Sequence, residues 1–268
     1  NAAVTFARQG WKVAALGVIG RDFNGEDILN ELTGEGVETK YFQKHDDDFT
    51  AYSVILVNTS GERTILSYKG EGQHFNVAIV PFDQLETKWF FLNSMGGNFD
   101  LLKSVLAHAE EHHIKIVMNP GGKELVYGLD ELSPVLNKVD IFITNREDAG
   151  GILGDSTMEH RRVLEKLKEM VGGIAVVTDG PNGAMVKDSV GKIYYAGVPD
   201  SPVIERTGAG DAWSSGFTSE YLREGDVEKA IQFATANASS VVTKFGAKAG
   251  ILKQGDWGPW PLVEVKNL

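Results

Sequence analysis

The chain contains no cysteine. Disulfides, thiolate metal sites and thiol catalysis are therefore excluded, and the absence fits a reducing compartment, so we expect a cytoplasmic protein. No apolar run reaches the length of a membrane span, and the first residues lack the pattern of a signal peptide. Basic residues are also scarce, since 26 Lys and Arg face 37 Asp and Glu. The net charge of −11 argues against nucleic acid or a membrane surface as a partner, because both are anionic.

Two common nucleotide-binding motifs are missing as well. The Gly-x4-Gly-Lys-Ser/Thr loop does not occur, and the segment Gly208-Ala209-Gly210 lacks the third glycine of a dinucleotide fingerprint because residue 213 is Trp213. The protein-kinase motifs are also absent. A bound nucleotide would therefore have to be held by a different kind of loop.

The most informative segment that is present is Thr207-Gly-Ala-Gly-Asp211, which precedes the helical pattern of 212–223. Small residues ahead of a helix leave backbone N–H groups uncovered, and the helix dipole adds positive charge there, so the segment predicts an anion site. Asp211 stands within reach of whatever that anion touches, as a general base would. The pattern therefore favours phosphoryl transfer; the alternative is a plain turn in which Asp211 caps the helix.

Along the chain, short apolar runs alternate with amphipathic stretches, which is typical of a mostly parallel sheet covered by helices. At 268 residues, 42% of them hydrophobic, we expect a single α/β domain over 1–268. Residues 51–57 and 63–69 instead alternate with period two around a turn, which predicts an antiparallel hairpin that projects as a flap. The predicted strands are Val13–Ile19, Trp89–Asn93, Ile114–Met118, Ile141–Thr144, Ile174–Thr178, Met185–Lys187 and Lys192–Tyr195; the main predicted helices are Gly25–Thr33, Phe99–His113, Ala149–Leu153, Met158–Met170, Asp211–Arg223 and Val227–Lys244.

Two strand ends carry further candidate residues. Strand 174–178 leads into Asp179-Gly180-Pro-Asn-Gly183, where glycines let a ligand approach the backbone closely, although an ordinary hairpin turn is an equal alternative. Strand 141–144 leads into Asn145-Arg-Glu147-Asp148, whose oxygens suit a hydrated Mg²⁺; the alternative is a helix cap with acids in the first turn. With the 207–211 segment, three strand ends offer anion or metal groups.

With these residues the chain resembles the PfkB, or ribokinase-like, family of small-molecule kinases over essentially its whole length. The matching pieces are Asn1 with Gly10, Gly20-x-Asp22-x-x-Gly25, Gly61-Glu-Arg-Thr64, Asn119-Pro120, Asn145-x-x-Asp148, Gly180-x-x-Gly183, Thr207–Asp211 with Gly216-Phe217, and Gly246-Ala247.

The resemblance implies a three-layer ribokinase-like fold, a mainly parallel sheet between helices, with the hairpin at about 50–69 as a lid over the substrate. It implies ATP and Mg²⁺ as cofactors. Asp211 would be the base and also contact the substrate, as Asn1 would. The N–H groups of Gly208, Ala209 and Gly210 would form the anion hole. The remaining implied contacts are Thr178, Gly180 and Gly183 with the nucleotide phosphates and ribose, Asn237 and Gly246 with the adenine side, and Asn145, Asp148 and Glu147 with the metal.

Some residues depart from the family pattern. Glu205-Arg206-Thr207 replaces Asp-Thr-Thr, so a monovalent cation such as K⁺ near Glu205 and Thr207 is expected to activate weakly or differently, with Arg206 as a competing charge. Asp148 replaces a glutamate, and Glu147 beside it is a substitute. Met95 stands where ribokinases carry a sugar-binding glutamate, which weakens ribose as the substrate.

The favoured function is transfer of the γ-phosphoryl of ATP to a hydroxyl of a sugar. An adenosine-like nucleoside kinase is the alternative, since Met95 and Phe91 offer an apolar bed for a base, and a non-catalytic sugar-binding protein of the same fold is a further one. The lid's apolar alternation predicts a homodimer. Because the chain starts at Asn1, we expect that the family's preceding glycines and first strand lie outside the sequence.

Overall fold

The computed structural model describes residues 1–46, 49–57, 63–70 and 75–268. They form two compact units, one from residues within 1–76 and 199–262, the other from 77–198 and 263–268. The single domain expected from the sequence stays a prediction. Across the described ranges, no helix combines the length and the apolar character that a membrane span requires.

The first unit is built mainly from helices. Its helices α8 (Ala209–Glu224) and α9 (Val227–Val241) pack on each other, and the short helix α1 (Ala2–Arg8) packs on α8. Val4, Ala212, Val241 and Ile251 form a buried cluster between these elements, with Leu32 against it. The elements are α1 (Ala2–Arg8), β1 (Val18–Gly20), α2 (Phe23–Gly34), β2 (Gln43–His45), β3 (Tyr52–Val57), β4 (Arg63–Tyr68), α8 (Ala209–Glu224) and α9 (Val227–Val241).

The second unit is built around a seven-stranded sheet. Its elements are β5 (Trp89–Leu92), α3 (Phe99–Glu111), β6 (Lys115–Met118), α4 (Gly122–Leu125), α5 (Gly128–Leu136), β7 (Ile141–Asn145), α6 (Arg146–Ile152), α7 (His160–Met170), β8 (Ile174–Thr178), β9 (Ala184–Lys187), β10 (Ile193–Ala196) and β11 (Lys266–Asn267). The strand order is β11-β10-β9-β8-β7-β6-β5. Strands β5 to β8 are parallel, whereas β8 to β11 pair antiparallel, so the sheet is mixed.

The central strands form where the apolar runs predict them. β7 and β8 each begin with four consecutive buried residues, the pattern of a parallel strand covered on both faces. Helix α7 buries Val163, Leu164 and Leu167 at helical spacing. Its N-cap is Glu159, whose carboxylate accepts hydrogen bonds from the backbone amides of Arg161 and Arg162; these bonds lower the pKa of Glu159. The predicted α/β alternation is therefore confirmed in this unit.

The first predicted strand is too long. The structure begins β1 at Val18, and the earlier part of the predicted run makes a single isolated bridge, from Ala14 to Glu38. Within the predicted run 13–19, only Ile19 is fully buried, so the apolar pattern overestimates the length of the first strand. Sequence patterns also did not predict β2, α4, α5 or β11.

The predicted hairpin is present. β3 and β4 pair antiparallel, from Tyr52 opposite Tyr68 to Val57 opposite Arg63, while the turn Asn58–Gly61 lies outside the described residues. The base of the hairpin is fixed by Asp22, which accepts hydrogen bonds from the Thr50 hydroxyl (2.7 Å), the Thr50 amide (2.7 Å) and the Gly25 amide (2.8 Å). These bonds lower the pKa of Asp22, so its contribution to stability is present above the unfolded-state pKa and is lost as pH falls through the folded-state pKa.

Candidate active site

Helix α8 begins without a side-chain cap. Its N-cap residue is Gly208, which has left-handed dihedrals (φ 78°, ψ 0°) and no side chain that can accept from the first turn. Asp211 is the third residue of the helix, so the alternative in which its side chain serves as the N-cap does not apply. The uncapped first turn presents N–H groups and the positive end of a 16-residue helix dipole, as the sequence predicts.

The two glycines of this turn differ in the space around them. A Cβ at Gly208 would lie 2.5 Å from the Ala247 Cβ and 3.1 Å from the Ala247 carbonyl oxygen, so the turn packs directly on Ala247. At Gly210, by contrast, a Cβ would meet no heavy atom of the described residues within 4 Å outside its own helical turn. The Ala209 amide already donates to the Arg206 carbonyl at 3.2 Å. Gly210 is therefore exposed with open space beside it, whereas the Ala209 amide already has a protein acceptor.

The carboxylate of Asp211 is oriented by Asn1. The side-chain amide of Asn1 donates to Asp211 Oδ2 at 2.6 Å, in a partly buried position. The hydroxyls of Ser214 and Ser215 donate to the backbone carbonyl of Asp211, at 3.2 Å and 2.5 Å. The structure thus brings together two predicted site residues that are 210 positions apart in sequence. A carboxylate held in this way at an uncapped helix end is suited to take a proton from a hydroxyl.

Two buried polar atoms beside this turn have no hydrogen-bond partner among the described residues. They are Oε1 of Glu205, a residue only 4% exposed, and the hydroxyl oxygen of Thr207. Arg206 is exposed, and Glu205 Oε1 receives no hydrogen bond from it. Buried oxygens without donors are costly unless a cation or another partner meets them. The pair therefore fits a monovalent cation.

Asn237 has a different role from a free ligand-binding amide. It is fully buried, its Nδ2 donates to the Ala212 carbonyl at 2.8 Å, and its Oδ1 accepts from the Leu252 amide at 2.9 Å. Both polar ends of the side chain thus link α8 to the segment after α9. Gly246 in that segment has a positive φ of 83°, and nothing in the described chain lies within 4 Å of a Cβ placed there. Contact of either residue with a nucleotide stays a prediction.

In the second unit, Asn145 is the N-cap of α6. Its Oδ1 accepts from the Asp148 amide at 2.8 Å, and its Nδ2 donates to Asp148 Oδ2 at 2.6 Å. The cap interpretation is therefore present in the structure, and Glu147 is exposed on the same turn. In the part of the chain that the structure describes, no three or more His, Cys, Asp or Glu side chains are grouped as a metal site would require. A hydrated Mg²⁺ held largely through its waters fits this donor set better than a direct cage.

The loop after β8 lies beside this cap. Thr178 ends β8 and pairs in register with Asn145. Gly180 (φ 51°) has free space where a Cβ would project, within the described residues, whereas a Cβ at Gly183 (φ 85°) would lie 2.0 Å from the Ala196 carbonyl oxygen. An ion pair of 3.0 Å between Arg146 and Asp179 ties the two loops together. The predicted metal and nucleotide residues of this unit therefore share one edge of the sheet.

Sequence reasoning missed Glu124. This residue is 2% exposed, and its carboxylate accepts from the amides of Met95 (2.7 Å), Gly97 (2.8 Å) and Gly121 (3.0 Å) and from the Ser94 hydroxyl. The bonds fix the loop that carries Met95. The neighbouring glycine pairs 96–97 and 121–122 were the only sequence signal, because nothing local shows that a distant carboxylate fills the space between them.

Comparison with known proteins decides the family. The model described as pfkB family carbohydrate kinase matches residues 1–254. The chain belongs to this family. A ribokinase from Haemophilus influenzae is 27% identical over 256 residues, 94% of this chain and 82% of that protein. A nucleoside kinase from Methanothermobacter thermautotrophicus is 25% identical over 259 residues, 96% of this chain and 81% of that protein.

The fold expectation is confirmed by solved structures. A putative ribokinase II from E. coli, in complex with ATP and Mg²⁺, superposes with a TM-score of 0.82. It is 17% identical, and the match covers 93% of this chain and 83% of that one. The ribokinase-like α/β fold is therefore established for this chain, and the family match assigns it to the kinases of carbohydrates or nucleosides.

Proposed function

We propose that this pfkB family kinase transfers the γ-phosphoryl of ATP to a hydroxyl of a sugar. The observation that carries the proposal is the pairing of a held carboxylate, Asp211, with an uncapped helix end and free space above Gly210. Phosphoryl transfer requires mainly positioning and charge stabilisation, and both are available there.

In the proposed reaction, Asp211 takes the proton from the acceptor hydroxyl while Asn1 keeps its carboxylate in place. The first-turn amides of α8, at Gly208, Ala209 and Gly210, stabilise negative charge that develops on the moving phosphoryl group. Ala209 would exchange its present acceptor, the Arg206 carbonyl, for the phosphoryl oxygen.

The remaining roles follow the family pattern. When bound, ATP supplies the phosphoryl group and Mg²⁺ offsets its charge. We propose Asn145, Glu147 and Asp148 for the hydrated metal, Thr178, Gly180 and Gly183 for the nucleotide's phosphates and ribose, and Gly246 with Asn237 for the side of the base.

The acceptor is proposed to be a sugar, with a nucleoside as the second candidate. Met95 favours the nucleoside, because its apolar side chain, on the loop that Glu124 fixes, suits a base better than a sugar. The nucleoside kinase among the relatives adds support. A sugar-binding protein without activity is disfavoured, because a protein with no proton to move has no need for the Asp211 and Asn1 pair.

A panel of sugars and nucleosides with ATP and Mg²⁺, scored by ADP release, tests the proposal. We expect turnover with at least one sugar that exceeds both the acceptor-free background and the turnover with adenosine or inosine. Turnover confined to nucleosides would replace the sugar by the second candidate. Tight sugar binding without ADP release would support the non-catalytic alternative.

We also propose a monovalent cation at Glu205 and Thr207. Since Glu205 is one methylene longer than the family's aspartate, we expect K⁺ to stabilise the fold but to change turnover little. The melting temperature should be higher in K⁺ than in tetramethylammonium at equal ionic strength, and this difference should vanish in Glu205→Gln. A large K⁺-specific stimulation of turnover would contradict the expected weak activation, and identical melting in both salts would contradict the site.

The hairpin supports the proposal of a homodimer through the lid. Alternate positions place Tyr52, Val54, Leu56, Leu66 and Tyr68 on one side, here called the Tyr52 face, and all five are between 42% and 57% exposed. The opposite side is more mixed: it carries the Ser53 and Ser67 hydroxyls, hydrogen-bonded at 2.6 Å, beside the apolar Ile55, Ile65 and Val57. An apolar surface of this kind on one side of a thin hairpin is typical of an interface.

Sedimentation at micromolar concentration tests the dimer. We expect a dimer for the unaltered chain and a monomer for Leu66→Lys, which places a charge in the Tyr52 face. Ser67→Lys is the matched control, because the adjacent residue of the same strand points to the other side. A monomeric unaltered chain, or equal dissociation by both substitutions, would overturn the proposal.

A further inference from the structure

Arg8, in the last turn of α1, makes four hydrogen bonds with its guanidinium group. Nε donates to Glu35 Oε2 at 2.9 Å and Nη2 to Glu35 Oε1, while Nη1 donates to the carbonyls of Lys248 and Ile251, both at 3.0 Å. The side chains of Arg8 and Glu35 are only 19% and 24% exposed. The hydrogen bonds between them raise the pKa of Arg8 and lower that of Glu35, so the pair stays charged.

The two carbonyls that Arg8 holds belong to the segment that supports the Gly208 turn. Lys248 directly follows Ala247, the residue against which Gly208 packs at a distance that admits no Cβ. The far end of the segment is held separately, since Leu252 bonds to Asn237 and to the Gln9 side chain. Arg8 therefore holds the backbone of this segment at its part nearest to the first turn of α8, and an ion pair between the Lys248 and Glu31 side chains holds the same part from outside.

Helix α1 connects this clamp to the carboxylate. Asn1, at its N-terminal end, donates to Asp211, and Arg8, at its C-terminal end, holds 248–251. The eight residues from Asn1 to Arg8 thus contact the side chain of the third residue of α8 at one end and the segment behind the Gly208 cap at the other. The position of the turn depends on both contacts.

We propose that Arg8 is a positioning residue for ATP: it holds Ala247 against Gly208 and so keeps the first-turn amides of α8 aimed at the phosphate. The inference rests on the proposed function, because it assumes that this turn binds the nucleotide. Arginine is required, since its planar fork meets two carboxylate oxygens and two carbonyls at once, whereas a lysine ammonium is a compact point charge.

Arg8→Lys keeps the charge and removes the fork. We expect the Kd and KM for ATP to rise about tenfold, the loss of one to two hydrogen bonds of a charged donor, with KM for the acceptor within about twofold. In the nucleotide-free protein, amide hydrogen exchange should accelerate across 245–252. Glu35→Gln leaves the bonds to the two carbonyls in place, so it should raise the Kd for ATP and accelerate the exchange across 245–252 as well, but by less. It replaces Arg8→Lys in the test if that variant fails to fold.

Arg223→Lys is the matched control. Arg223 is also partly buried, pairs with a glutamate, Glu220, and donates to a backbone carbonyl, but that carbonyl is Gln9. Its further bond to the Gln9 side chain (3.3 Å) reaches only Leu252, at the end of 245–252 that lies farthest from Ala247. Arg223→Lys should lower the melting temperature and leave the Kd for ATP unchanged. Equal ATP affinity and equal exchange in Arg8→Lys and the unaltered chain would overturn the positioning role while leaving the proposed function intact. An unaltered chain that does not bind ATP would instead overturn the proposed function.

Discussion

Asp211→Asn is expected to lower kcat by about 10²- to 10⁴-fold, the usual contribution of a general base, which corresponds to about 3 to 5 kcal/mol. The substitution removes the proton acceptor but keeps the size of the side chain and the backbone amides of the helix end. The Asn1 amide can still bond to the new side-chain oxygen. The Kd for ATP, measured by titration calorimetry, should therefore change little.

Asp226→Asn is the matched control for this loss. Asp226 caps α9 by accepting the Lys229 amide at 3.0 Å, and asparagine caps a helix as well as aspartate does. It should leave both kcat and the melting temperature almost unchanged. An Asp211→Asn enzyme with near-normal kcat would show that another group takes the proton.

Gly210→Val is expected to reduce turnover by about 10²-fold or more, because the side chain would enter the space through which the phosphate must approach. The fold should survive: Gly210 is a helical residue, the described residues leave free space at its Cβ, and valine is the better helix former. Circular dichroism, the melting temperature and kcat measured on one preparation separate the two effects.

The control for Gly210→Val is Gly34→Val. Gly34 is another helical glycine of the first unit whose Cβ position is free among the described residues, and it lies at the exposed end of α2. The two variants should melt alike, and only Gly210→Val should lose activity. Full activity of a folded Gly210→Val protein would remove the anion hole from this helix end.

The sequence predicts best those elements whose burial is continuous. β8 was predicted with its observed ends because every residue from Ile174 to Val177 is buried, so composition and environment agree. The run 13–19 is equally apolar, yet its strand is three residues long, because sheet formation also needs a partner strand, and no local pattern encodes one. The short helices α4 and α5 were missed, since Pro134 and three glycines obscure their spacing.

The site residues also differ in whether a local sequence pattern or a distant contact identifies them. Asp211 and the glycines of its turn are visible in the sequence because one short segment carries both charge and backbone geometry. Asn1 was found only through resemblance to the family, since 210 positions separate it from its partner. Arg8 and Glu124 were not found, because each acts through backbone groups that are distant in sequence. Asn237 was found, but its buried bonds to Ala212 and Leu252 could not be predicted.

The most direct test of the account follows the γ-phosphoryl itself. The unaltered chain is incubated with ATP labelled at the γ-phosphate, Mg²⁺ and the best sugar of the panel, and the labelled products are separated. The account predicts that the label appears in a sugar phosphate in proportion to ADP, and that Asp211→Asn abolishes most of this transfer. Label found only as inorganic phosphate, or no label transfer with any acceptor, would contradict it.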